Sequence, residues 1–167
     1  MHGKRVRESS ILLAQVMNPQ DANPAENVHG GVIMKLIDTA AGAAAVKHSR
    51  SNCVTASIDR LDFHHPVFIG DLVTLKAGVT YTGKSSMEVG VRVESQNLLT
   101  GEIRHTVSAY MTFVALDKNG KPTAIPPLIL ETPEELRRNR EAQSRKEMRL
   151  REKTKEKACQ LNAESCD

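Results

Sequence analysis

Tryptophan is absent from this 167-residue chain, and its other aromatic residues amount to two tyrosines and three phenylalanines. Proteins that grip single-stranded nucleic acid stack bases on exposed rings, and a chain this poor in rings offers no such platform. Cysteine is scarce too: Cys53, Cys159 and Cys166 are scattered and form no CxxC pair. A zinc site or a disulfide frame is therefore not expected, and free thiols in a reducing cytosol are. No apolar run is long enough to span a bilayer, and the charged start MHGKRVRESS leads into no segment of signal-peptide length. Charge of one sign is also missing in bulk, since 23 Lys and Arg face 20 Asp and Glu for a net +3. That is too little for a strong polyanion binder. The expectation is a cytoplasmic protein with no membrane or nucleic-acid partner.

What is present is hydrophobic content of 40%, enough for one core in a chain of this length. The segment 5-RVRESSILLAQVM-17 reads as an opening strand. It is followed by 18-NPQDANPAENVH-29, a loop rich in turn residues and long enough to suggest that it serves a site. From Gly30 or Gly31 to about His48, the residues Ile33, Leu36, Ile37, Ala40, Ala41 and Ala44 recur at helical spacing. The rest of that segment is mostly Ala and Gly, so the helix is expected to be central and buried on more than one side.

The period then changes to two. The run 53-CVTASIDRLDF-63 and alternating runs from Val73, Met87 and Ile103 predict long antiparallel strands joined by short turns. A helix segregated from an antiparallel meander defines an α+β domain, here over residues 1–130, with the helix wrapped by a curved sheet. Residues 131–167 differ in kind. Thr132, Pro133 and Glu135 start a helix. Basic residues then dominate, and a solvated helix fraying into a tail is expected.

Asp38 stands alone among apolar and tiny neighbours of the central helix. An unpartnered carboxylate there is costly, so it is either bonded to the backbone or Lys35, or used in chemistry. Gly30 and Gly31 offer backbone N–H groups at the helix start, suited to an oxyanion, although a plain turn would look the same. Asn27 is either a turn residue or an amide that polarises a carbonyl. Eight residues, roughly 12 Å of helix, separate Gly30 from Asp38, so one helix cannot aim both at a single carbon, whereas two antiparallel copies can. His64 and His65 invite a metal reading; a turn role beside Pro66 is preferred, and no metal is expected.

The motifs NVHGGVIMKLIDTAAG, VTASIDRLDFHHPVFIGD, GKSSMEVGV and the strand ending TFVALDKNGKP follow in this order between residues 8 and 127. Together they resemble the hotdog-fold acyl-CoA thioesterases, most of all the branch of bacterial and animal brain-type cytosolic acyl-CoA hydrolases. The resemblance implies a hotdog fold, a homodimer as the minimal active unit, and a homohexamer built as a trimer of dimers. It implies hydrolysis of acyl-CoA to fatty acid and CoA with no cofactor, coenzyme A being part of substrate and product. Asp38 would act as general base or nucleophile, Gly30 and Gly31 as the oxyanion hole, and Asn27, from the opposite subunit, as an orienting amide. Gly83, Lys84, Ser85 and Ser86, by composition an ordinary hairpin turn, would contact coenzyme A, and His29 would contact substrate. A hotdog hydratase or dehydratase and a non-catalytic acyl-CoA sensor are the alternative readings.

Overall fold

The computed structural model describes residues 1–161. A short strand β1 (Lys4–Arg5), a helical turn α1 (Val6–Ser9) and strand β2 (Ile11–Val16) precede the loop, so the expected opening strand is interrupted by a turn of helix. Helix α2 (Gly30–Ser49) follows, then strands β3 (Asn52–Phe63), β4 (Leu72–Thr82), β5 (Ser86–Gln96) and β6 (Ile103–Leu116). The chain closes with β7 (Leu128–Ile129), paired with β1, and the long helix α3 (Pro133–Leu161).

Five strands form one antiparallel sheet in the order β2-β4-β5-β6-β3. Successive strand residues face opposite sides of a sheet, and β5 uses this fully. Met87, Val89, Val91 and Val93 enter the core against α2. On the helix, Ala40, Ala41, Ala44 and Ala45 are wholly buried, and these small side chains bring the helix axis close to the strands. This is the long helix held in a curved antiparallel sheet that the resemblance implies.

Three expectations need correction. Helix α2, expected to be buried on more than one side, leaves one flank uncovered among the described residues of its own protomer. Gly31, Met34, Asp38, Ala43 and Val46 form an exposed stripe, because no described element of the same chain covers that flank. Nor is α3 simply solvated. Glu88 reads by alternation as a solvent-facing strand residue, yet it is 3% exposed because α3 lies over it. Arg145 donates two hydrogen bonds to its carboxylate while its guanidinium stacks 3.6 Å from the centre of the Tyr110 ring. Arg149 pairs with Asp59, and the Asn139 side chain donates to the Thr80 carbonyl. Cys53 is a free thiol, but Cys159 is disulfide-bonded, which no CxxC spacing announces. Cys166 lies outside the described residues.

Candidate active site

Helix α2 starts where His29 caps it: the imidazole Nδ1 accepts the Gly31 N–H at 2.9 Å. Gly31 is thus already engaged, which the spacing of two glycines does not reveal. The Gly30 N–H has no acceptor among the described residues and remains available to an anion or a carbonyl.

The loop before the helix is folded tightly on itself. Asn23 Oδ1 accepts backbone N–H groups of Ala25 and Asn27 at 2.9 and 3.2 Å, and the Asn23 N–H donates to the Asn27 carbonyl at 2.7 Å. These bonds fix the Asn23 amide with its oxygen inward, leaving its NH₂ as the unused donor. The Asn27 side chain makes no hydrogen bond among the described residues. Both asparagines, Gly30, Phe63, His64 and His65 line one cavity of about 350 Å³. The sequence singles out Asn27 and not Asn23, because the NP pair after Ala22 reads as a turn. His64 and His65 share this cavity because they sit in a turn after β3, not in the strand.

Asp38 is exposed on the uncovered stripe of α2. Its Oδ1 accepts a 2.7 Å hydrogen bond from the Thr55 hydroxyl, on strand β3. Neither the backbone nor Lys35 provides that contact. Thr55 was missed in the sequence because a Thr in a β-branched strand is the commonest of residues there. An exposed carboxylate held by a single hydroxyl keeps lone pairs free to accept a proton from water.

The register of the sheet locates the remaining residues. Thr55 pairs with Phe113, which pairs with Met87; Val54 pairs with Val114, which pairs with Ser86. The hairpin Gly83–Ser86 therefore lies at the Asp38 end of the sheet. Its backbone is tied down: the Lys84 carbonyl accepts from Ile125 N–H at 3.1 Å and the Ser85 carbonyl from Ala115 N–H at 2.9 Å, while the Lys84 side chain is exposed. Phe63, at the far end of β3, comes within 3.5 Å of where a side chain on Gly30 would begin. One protomer thus carries two half-sites, Asp38 with Thr55 and the hairpin at one end, Gly30 with the asparagines at the other. Eight strand residues, roughly 25 Å, separate Thr55 from Phe63.

The profile of the thioesterase superfamily matches residues 25–102. A Bacillus subtilis protein described as an uncharacterized acyl-CoA thioester hydrolase is 42% identical over 130 residues, covering 78% of this chain and 76% of its own. Among solved structures, an apo-hexameric acyl-CoA thioesterase superposes with a TM-score of 0.88 at 40% identity, covering 91% of this chain and 97% of the other. An acyl-CoA hydrolase of Staphylococcus aureus, solved with butyryl coenzyme A, coenzyme A and coenzyme A disulfide, gives 0.86 at 35% identity, covering 93% and 94%.

Proposed function

The chain belongs to the thioesterase superfamily and has its hotdog fold, and from that premise we propose that it hydrolyses acyl-CoA to a free acid and coenzyme A. The observation that supports this most is the division of the chemistry into two half-sites at the two ends of an edge strand whose outer side is unpaired. Strand β3 is the edge of the sheet, and Val54, Ile58 and Phe63 along it are each more than 40% exposed. An exposed apolar edge calls for another strand. Antiparallel self-pairing of β3 about Asp59, midway between Thr55 and Phe63, is isologous and sets Thr55 opposite the partner's Phe63. The carboxylate of one subunit then faces the helix start of the other, and two equivalent sites form per dimer. The hexameric relative supports assembly of such dimers into a homohexamer.

In each site Asp38 takes a proton from a water molecule, and the resulting hydroxide attacks the thioester carbonyl. As the carbonyl oxygen gains charge, it accepts from the Gly30 N–H and from an amide of the 23–27 loop, Asn23 being the fixed donor and Asn27 its neighbour. Collapse of the tetrahedral intermediate breaks the C–S bond, and the thiolate leaves with the proton Asp38 had taken. Acyl-CoA and water give acid and CoA, with no cofactor required. Gly83, Lys84, Ser85 and Ser86 line the path of the pantetheine and phosphates, with Lys84 as the cation, and His29 borders the entrance. Attack by Asp38 itself, through an anhydride, uses the same residues. A single turnover in ¹⁸O-water separates the routes, since an anhydride leaves the label partly in the aspartate.

Asp38→Ala is expected to lower kcat for CoA release by at least about 100-fold, as loss of a general base does, with little change in KM. Wild-type rates in that variant, or turnover of an enoyl-CoA by hydration instead of thioester loss, would reject the proposal.

A further inference from the structure

The far end of α3 extends beyond its own protomer. Along the helix, the less exposed residues Glu135, Asn139, Ala142, Arg145 and Arg149 recur every three or four positions and face the sheet. Their contacts step across it, from Thr80 on β4 through Glu88 on β5 and Tyr110 on β6 to Asp59 on the edge strand. After Arg149 this stripe stops, yet the helix continues from Leu150 to Leu161, roughly 18 Å. That length covers between three and four strand spacings past the edge. Beneath the overhang, between α3 and β3, opens a notch of about 670 Å³.

The charges of the overhang have an order that no ion pair among the described residues uses. In the helix's first half, opposite charges stand four apart and pair, as Glu134 does with Arg138 and Arg137 with Glu141. In the stretch 151-REKTKE-156, like charges stand four apart: Arg151 with Lys155, and Glu152 with Glu156. Like charges at that spacing weaken an isolated helix, although Glu152 with Lys155 and Lys153 with Glu156 stand three apart with opposite signs. All four side chains are exposed, and none makes an ion pair among the described residues. The helix therefore presents a basic stripe beside an acidic one. Read against itself in the opposite direction, position 151 meets 156 and position 152 meets 155 with opposite signs, while Lys153 meets Thr154.

We infer that the overhangs of two copies lie antiparallel across the dimer axis, Arg151 of each pairing with Glu156 of the other and Lys155 with Glu152. The location agrees. Arg149 brings α3 onto β3 at Asp59, the residue about which β3 pairs with its twin in the dimer proposed above, so both helices arrive at the same axis. Exposed ion pairs add little affinity singly, but four of them fix direction and register and disfavour other partners. The clasp makes the second copy, and not an unrelated protein or an anionic surface, the occupant of the overhang.

The clasp rests on the β3 dimer, and its test keeps the two apart. One variant carries Arg151→Glu and Lys155→Glu; the other carries Glu152→Lys and Glu156→Lys. Each places like charges across the axis in its homodimer, whereas a heterodimer of the two has opposite charges at all four meetings. The full-length variants are co-expressed and their dimers are counted by native mass spectrometry. Unbiased pairing gives about half heterodimer, as mass-tagged wild-type chains should. The clasp predicts at least a several-fold excess of heterodimer over the two homodimers combined, shrinking as salt rises. A statistical mixture overturns the clasp while leaving the dimer intact, and a monomeric wild type overturns the dimer as well.

Discussion

At the scale of single residues, the contact between Thr55 and Asp38 decides how the carboxylate is aimed. A hydrogen bond to a charged group is worth about 1.5–3 kcal/mol, so Thr55→Val is expected to slow kcat by roughly tenfold or more. Thr55→Ser, which keeps the hydroxyl, should retain most of the rate, and CoA-release kinetics distinguish the two. The asparagines can be ranked in the same assay. Asn23, whose amide is locked by two accepted bonds, should lose more kcat on replacement by Ala than Asn27, whose amide is not. His48 shows a different residue-scale effect. It is fully buried at the end of α2, with Nδ1 3.2 Å from the Ser9 hydroxyl and Nε2 3.0 Å from the Pro126 carbonyl. Burial holds its imidazole below the ordinary histidine range. The unfolded chain then binds the extra proton first, so this contribution is complete above about pH 6.5 and fades as pH falls toward the folded-state value. His48→Gln should flatten the dependence of Tm on pH in that window; His105, also lowered by burial, leaves a residual slope.

At the scale of elements, the proposed assembly rests on β3, and α3 supports the sheet. Replacing Ile58 by Lys on the edge strand places a charge where another strand must pack. Such a variant should sediment as a smaller species and lose most of its activity, whereas its far-ultraviolet circular dichroism stays unchanged. Helix α3 depends on the buried pair of Arg145 and Glu88. Removing one partner of such a pair costs about 3–5 kcal/mol because the other charge stays buried, so Arg145→Ala should lower denaturant stability by about that amount. Replacing both, with Arg145→Met and Glu88→Leu, should recover most of it. If the single variant is neutral, α3 does not shield Glu88.

For the whole molecule, the proposed site exists only between chains. Asp38→Ala and Asn23→Ala homodimers are each expected to be inactive, since both of their sites lack one half. In a heterodimer one site carries both defects and the other neither. An equal mixture that has exchanged subunits should therefore regain about a quarter of wild-type activity. No recovery, with heterodimers present, would mean that both residues act in one chain.

The sequence by itself determined the elements and the chemistry available. Periodicity marked α2 and the strands because burial imposes 3.6 on a helix and two on a strand, and Asp38 stood out because a lone carboxylate amid alanines costs free energy. Capping residues marked the start of α3. Only tertiary structure decided who touches whom. The partner of Asp38 is Thr55, seventeen positions away, and an ordinary strand threonine has no local signature. Glu88 faces a helix and not water because α3, nearly sixty residues later, folds back over it. Asp38 lies open because no described element of its own chain covers the flank of α2 beside it, and pairing between chains is a property of surfaces, which exist only once the chain has folded.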